Sequence, residues 1–346
     1  TIDNMFLNTD SKFIWLNGDF QPFNDTNIHL LSNTLHYGMG VFEGVRAYET
    51  LDGGAIFRLI EHTERLFSAA SKINISIPYS AEELCQAQID TMSKNKLREG
   101  YIRPIVFLGS ESMGLRSQDS LSVNVAIACW EWPSYMEPSA KKNGISVIKS
   151  PFQQYDNPLY SNNKIIGTYV NSIMAVNDAI SKGAEEAILL DKNGYISEGS
   201  GENLFIVKNS ALITPTIDYC LNGITRQSVI SIAKNLHYSV EERNLTFDEL
   251  LEIEKNTKET DQGLGSLFPK GEPGSIFDQK NSNRLEVAEF MKAMRAAGIK
   301  NEDVMEVIKD KTSFETQPAQ RRNPDAPLEV VNLSEGKRAA TTLARA

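Results

Sequence analysis

Apolar and polar positions alternate through much of the first third of the chain, and two stretches with helical spacing interrupt the alternation. Phe13-Ile-Trp-Leu16 and Phe20 flank Asn17-Gly18. Asn-Gly between apolar runs is the strongest short-range hairpin signal, because both residues accept the positive φ of a type I′ turn. Gly40–Tyr48 and Ala55–Arg58 read as strands rich in β-branched and aromatic residues. Leu59–Lys72 sets Leu66, Ala69, Ala70 and the following Ile73 at helical intervals. Ser80-Ala-Glu-Glu83 matches a capping box for a helix that reaches about Leu97. Tyr101–Leu108 and Ser122–Trp130 are further strands, so strands alternating with two helices predict an α+β domain over the first 135 residues.

Residues 150–163 have turn composition and predict an interdomain loop. A helix follows over Tyr169–Ser181, then strand Glu186–Asp191, turn Lys192-Asn193-Gly194, and strands Tyr195–Ile196 and Asn203–Val207. Gly223-Ile224-Thr225 supplies a turn and an N-cap for a helix over Thr225–Asn235. Ser239–Asn244 reads as a strand and Phe247–Ile253 as a short helix. Beyond about residue 255 the texture becomes that of a linker rich in Lys, Thr, Gly, Pro and Asp. It is followed by an amphipathic pair, Arg284–Ala297 and Asn301–Lys309, and a tail without periodicity that reads as disordered. The expected division is a small N-terminal α+β domain over 1–148, an interdomain loop over 149–163, a larger domain over 164–255 and an atypical segment over 256–346.

Composition narrows the function. With 41% apolar and 23% charged residues, the chain reads as a folded globular protein. A net charge of −10 and a pI near 5.1 argue against nucleic acid as a partner. No apolar run approaches the roughly 20 residues of a membrane span, and the opening residues lack the apolar core of a signal peptide. Three widely spaced cysteines, Cys85, Cys129 and Cys220, fit a reducing cytoplasm better than a disulfide framework. The histidines show no metal-ligand spacing with them, so no metal site is expected.

Several segments carry a more specific signal: Leu35-His-Tyr-Gly-Met-Gly-Val-Phe-Glu-Gly44, Phe57-Arg58, Tyr101-Ile-Arg-Pro104, Asn163-Lys164 with Tyr169, Gly194-Tyr-Ile-Ser-Glu-Gly-Ser-Gly-Glu-Asn-Leu-Phe205, and Gly223-Ile-Thr-Arg226. In this order and at these intervals they resemble the branched-chain amino acid aminotransferases, fold-type IV enzymes of pyridoxal 5′-phosphate, over about residues 12–252. The resemblance implies a two-domain fold, a small α/β domain plus a larger barrel-like one, and a homodimer or higher homo-oligomer. It implies ping-pong transamination of leucine, isoleucine or valine with 2-oxoglutarate.

Residue by residue, the resemblance makes Lys164 the catalytic lysine that forms the aldimine with the cofactor. Such chemistry needs an amine with a lowered pKa, which can act as nucleophile and then carry a proton. Glu198 becomes the carboxylate at the pyridine nitrogen, with Glu202 as the competing acid. Arg58, Ile224 and Thr225 become the phosphate donors: a guanidinium can bind bidentately, and a helix N-terminus favours an anion. Tyr169 would bond the cofactor's phenolic oxygen. Each has a plainer reading: a solvated lysine, a turn carboxylate, an Arg58–Glu61 surface pair, a simple N-cap at Thr225 and a buried aromatic at Tyr169. Tyr37, Phe42, Tyr101, Trp132 and Tyr135 match positions that line the substrate pocket, or are ordinary core aromatics. Arg103 matches the arginine that meets the distal carboxylate of glutamate. Residues 253–346 do not continue the family's pattern. Other readings are a D-amino acid aminotransferase, an aminodeoxychorismate lyase, or a non-catalytic scaffold. Tyr101-Ile-Arg103 weighs against the first two.

Overall fold

The computed structural model describes residues 13–50, 53–116, 118–132, 144–208, 211–252 and 344–345. The helices expected over 284–309, the disordered tail and the substrate candidate Tyr135 all lie outside the described residues. The described chain divides into two units, one of residues 13–132 with 164–168, the other of 144–163 with 169–252 and the last strand.

The first unit is built on β1 (Phe13–Leu16), β2 (Asp19–Pro22), β3 (Gly40–Phe42), β4 (Val45–Thr50), β5 (Gly53–Ile56), β6 (Gly100–Leu108) and β7 (Val123–Trp130). They form one antiparallel sheet in the order β2-β1-β7-β6-β4-β5, and β3 also pairs with β6. The hairpin forms at the predicted turn, with Asn17 at φ 50° and Gly18 at φ 104°. Strict alternation along β6 buries every second residue. Ile102, Val106 and Leu108 join Val41, Val45, Val125 and Ile127 in the core. The helices α1 (Asn33–Tyr37), α2 (Leu59–Lys72) and α3 (Ala81–Lys94) complete the unit. Leu66 of α2 and Leu84 and Met92 of α3 are fully buried. The capping box at Ser80 is present in both directions, Glu83 N–H to Ser80 Oγ and Ser80 N–H to Glu83 Oε2.

One predicted strand is in fact two. β3 and β4 run along β6 in the same register, Phe42 opposite Ile105 and Val45 opposite Ile102, which sets Glu43 opposite Pro104. Glu43 N–H donates to the Pro104 carbonyl at 2.9 Å, but proline has no N–H to return. The ladder breaks at Glu43-Gly44, and this break carries a buried acid into the unit.

In the second unit, β8 (Val147–Gln153), β9 (Glu186–Leu190) and β10 (Ile196–Gly199) form one sheet, with β8 parallel to β9. The strands β12 (Ile206–Lys208), β13 (Ala211–Thr214) and β14 (Ser239–Glu242) form another. The short β11 (Glu202–Asn203) pairs with β15 (Ala344–Arg345). Around them lie α4 (Pro158–Ser161), α5 (Tyr169–Ser181) and α6 (Ile224–Asn235), and residues 247–252 are helical. The unit is mixed α/β, and among the described residues its sheets do not close a barrel.

The structure corrects three local expectations. The stretch read as loop from 149 begins inside strand β8, whose pairing shifts between Lys149 and Gln153, around Pro151, giving the sequence a turn-like look. Strand β13 gave no signal, because a strand buried at all four positions has no alternation. Thr225 is not the N-cap of α6: Gly223 is, which puts Ile224 and Thr225 in the first helical turn.

Gly38 closes α1 at φ 69°, and a Cβ there would lie 2.6 Å from the Gly167 Cα. Gly167 N–H donates to the Gly38 carbonyl at 3.1 Å, so this contact fixes the 164–168 segment against the first unit. We expect Gly38→Ala to lower stability by about 1–3 kcal/mol, measured by urea unfolding.

Candidate active site

Lys164 is fixed by its backbone before its side chain is considered. Phe42 N–H donates to the Lys164 carbonyl at 3.2 Å, and Ile165 bridges Val41 in antiparallel fashion. The 164–168 segment therefore lies along the edge of β3. The Lys164 side chain is buried, with the residue 6% exposed, and Nζ sits 5.6 Å from the Phe42 ring centroid. Burial, then the Arg65 guanidinium, push its pKa down to about 8, with Arg103 adding to the effect and Glu43 and Tyr101 opposing it.

Glu43, at the ladder break, is fully buried. Arg65 grips it from α2, Nε to Oε1 at 2.6 Å and Nη2 to Oε2 at 2.9 Å. His62 Nδ1 meets Oε2 at 2.9 Å from the same face of the helix. Burial alone would raise the Glu43 pKa, but Arg65 and His62 hold the carboxyl well below the usual carboxylate range. Burial lowers the His62 pKa against the pull of Glu43. Arg65 Nη1 is buried and has no hydrogen-bond partner among the described residues. A buried guanidinium with one donor left over suits a bound anion.

The other face of the sheet carries an aromatic wall. The Arg103 guanidinium lies 4.6 Å from the Phe42 ring centroid and 5.2 Å from that of Tyr101, and its Nη2 donates to the Tyr101 hydroxyl at 2.9 Å. Tyr101 packs on Trp132 at 4.6 Å and on Trp130 at 5.1 Å between centroids. Its hydroxyl fills the space above Gly44 so closely that a Cβ there would overlap it. Arg103 Nε is buried without a partner among the described residues.

Glu198 lies on β10, not in a turn, and is buried. Gln154 Nε2 donates to its Oε1 at 2.6 Å, while the Leu221 N–H (3.3 Å) and Asn203 Nδ2 (3.4 Å) reach its Oε2. A buried carboxylate with its oxygens held this way is fixed in direction. The competing Glu202 is also buried and accepts from the Gly201 N–H at 3.1 Å. Ile224 and Thr225 open α6, where the helix dipole favours an anion. Tyr169 opens α5, half-buried.

Of the sequence candidates, the first unit therefore brings together Lys164, Phe42, Tyr101, Arg103 and Trp132. Tyr37 ends α1 with 42% of its surface exposed. Arg58 makes the pair weighed as its plainer reading. It caps α2 in a left-handed conformation, φ 43°, and its Nε donates to Glu61 at 2.7 Å. The same helix carries a second guanidinium, Arg65, bonded to buried Glu43, which sequence reasoning passed over. A signal was available: His62 and Arg65 stand four residues before Leu66 and Ala69, so they occupy apolar positions of an amphipathic helix.

The amino-transferase class IV family profile matches residues 40–255. The chain belongs to the class IV aminotransferases. It is 47% identical over 238 residues to the branched-chain-amino-acid aminotransferase of Pseudomonas aeruginosa, covering 68% of this chain and 77% of that protein. The solved branched-chain amino acid aminotransferase of Escherichia coli superimposes with a TM-score of 0.67 at 37% identity, over 69% of this chain and 80% of that one. Another branched-chain amino acid aminotransferase, from T.th., was solved with N-(5′-phosphopyridoxyl)-L-glutamate bound. It gives a TM-score of 0.64 at 40% identity, over 69% of this chain and 78% of that chain. No helix among the described residues is long and apolar enough to cross a membrane.

A lysine whose native pKa is about 8 carries a stability cost wherever the unfolded chain holds its proton more tightly. The cost is full below pH 8 and disappears as pH rises to about 10.5, the ordinary lysine value. Without cofactor, Lys164→Met should exceed the wild type in stability by about 3 kcal/mol at pH 7. The gap should narrow steadily between pH 8 and 10.5, followed by urea melts at each pH.

Proposed function

We propose that this aminotransferase uses pyridoxal 5′-phosphate to move the amino group of leucine, isoleucine or valine to 2-oxoglutarate. The observation that carries the reading is the buried Lys164, its pKa pushed down to about 8, held on the edge of β3 with Nζ over the Phe42 ring. The names of the similar proteins support the substrate class, and the glutamate adduct in one of them supports glutamate as a product.

When bound, the cofactor supplies a carbonyl that combines with amines and a ring that withdraws electrons from the substrate's α-carbon. Lys164 would be the amine that holds it, and once freed would remove the proton from the α-carbon and return it to the carbon on the other side of the amino nitrogen. A pKa near 8 suits both directions of transfer. Arg58 would serve the phosphate, and Arg65 Nη1, buried without a hydrogen-bond partner among the described residues, is a second candidate for it. The assignment of Tyr169, Glu198, Ile224 and Thr225 to the same cofactor rests on the order of the family motifs. Ile224 and Thr225 would serve the phosphate, and Glu198 a proton on the ring nitrogen. Phe42, Tyr101 and Trp132 form an apolar wall for a branched side chain, and Arg103 beside them pairs with the distal carboxylate of 2-oxoglutarate.

A homodimer in the cytoplasm completes the proposal. Leu30, 75% exposed, with Ile28, Leu35 and Tyr37, gives the first unit an apolar patch suited to a second copy. The three cysteines are buried and free, as a reducing compartment allows.

Purified protein given excess pyridoxal phosphate should develop a visible absorption band, and borohydride should fix the cofactor's mass on the Lys164 peptide. Folded protein with no band, or a label elsewhere, would reject the reading. Glutamate production from leucine and 2-oxoglutarate, with none from D-alanine, tests the substrate class. Arg65→Gln should weaken cofactor binding about 10- to 100-fold, the loss of a charge-assisted hydrogen bond. Arg58→Gln, at the arginine expected to hold the phosphate, should weaken it at least as much. Equilibrium titration with the cofactor measures both.

A further inference from the structure

Gln154 belongs to none of the motifs above and stands one residue beyond β8. Its N–H donates to the Leu190 carbonyl at 2.8 Å, which carries the β8–β9 pairing past the end of the strand. Both ends of its side-chain amide are engaged. Oε1 accepts from the Tyr155 N–H at 2.8 Å, and Nε2 donates to Glu198 Oε1 at 2.6 Å. Turned over, the amide would set its own N–H group against the Tyr155 N–H and its oxygen against the carboxylate, so both bonds would be lost. The backbone at Tyr155 thus decides that Gln154 presents a donor to Glu198. A donor there matches a carboxylate, which only accepts, better than a neutral carboxyl, which must also place a proton.

The other carboxylate oxygen faces a different part of the second unit. Oε2 meets the Leu221 N–H at 3.3 Å and Asn203 Nδ2 at 3.4 Å, and the same Asn203 nitrogen donates to the Leu221 carbonyl at 2.9 Å. That carbonyl also accepts from the N–H of Gly223, the N-cap of α6, at 2.8 Å. Ser197 Oγ holds the Tyr219 carbonyl at 2.6 Å. Glu198 is therefore braced between the end of β8 and the segment that leads into α6, and Gln154 supplies the brace from the β8 side.

We propose that Gln154 is the positioning residue of Glu198: its amide holds the acid in one orientation, as a carboxylate, to keep a proton on the ring nitrogen of the cofactor. Gln154 acts through Glu198, and the inference rests on the proposed role of Glu198 at that nitrogen. A ring that keeps this proton withdraws electrons more strongly. Losing the brace therefore lowers turnover rather than substrate binding.

Two substitutions separate this role from support of the fold. Gln154→Glu keeps an oxygen for the Tyr155 N–H and removes the donor to Glu198. It also sets two carboxyls face to face, which must share a proton. Gln154→Lys keeps a donor and removes the oxygen. The measurement is the 15N signal of pyridoxal phosphate labelled at its ring nitrogen and bound to the full chain, together with kcat and KM for leucine. In the wild type the signal should stand at the protonated position. Gln154→Glu should move it toward the unprotonated position and lower kcat about 10- to 100-fold, with KM changed less than about threefold. Gln154→Lys should keep the protonated signal and lose less in kcat than Gln154→Glu. Gln154→Leu, which removes both contacts without adding charge, should follow Gln154→Glu, and it carries the test if that variant does not fold. A protonated signal unchanged in Gln154→Glu and Gln154→Leu, or a greater loss in Gln154→Lys than in Gln154→Glu, would assign Gln154 to the turn at Tyr155 alone and overturn the proposal. An unprotonated ring nitrogen in the wild type would reject Glu198 as its acid and take the proposal with it. Absence of any bound cofactor would instead reject the functional reading of the chain.

Discussion

The buried carboxylate of Glu43 is the constraint around which the first unit is arranged. Its desolvation would be prohibitive alone, and the Arg65 guanidinium offsets it, with the His62 ring bonded to the same carboxylate. The same contacts bind α2 to the β3–β4 strand pair and fix the direction of the Arg65 guanidinium. Removing one partner would leave a charge stranded in the core, which typically costs about 3–5 kcal/mol. Packing and chemistry therefore depend on one set of bonds.

The break in the β-ladder is what admits this acid. Pro104 gives β6 a carbonyl but no N–H at the position facing Glu43. An uninterrupted strand from Gly40 to Thr50 would still have lacked the bond from Pro104, and would have lost the irregularity beside which Tyr101 packs over Gly44. The imperfect pairing lies next to Phe42 and Lys164, as strand irregularities near active sites commonly do.

Sulfur, sheet edge and membrane considerations contribute little here; the aromatic wall contributes more. Phe42 and Tyr101 flank the Arg103 guanidinium, and Trp130 and Trp132 pack on Tyr101, so a cation is held against π faces with Nε unpartnered among the described residues. An apolar surface with an arginine set into it gives one site the means to treat an aliphatic side chain and a carboxylate alike, the property that the proposed transamination needs.

Much of the architecture was legible in the residues themselves. The Asn17-Gly18 hairpin, the capping box at Ser80, the spans of α2 and α5, and the ordered motifs around Lys164 and Glu198 are local codes, written in neighbours a few positions apart. Strand β13 and the start of β8 were not, because full burial and a proline within a pairing shift erase alternation. The choice between Arg58 and Arg65 was not legible either. Arg58 caps α2 and Arg65 lies within it, and only the fold shows that Arg65 meets a buried carboxylate. The sequence by itself determined the family, the candidate lysine and most elements, since these depend on residue type and spacing. The tertiary structure alone decided which charges surround that lysine, because electrostatics in a desolvated site depends on distances that no spacing along the chain encodes.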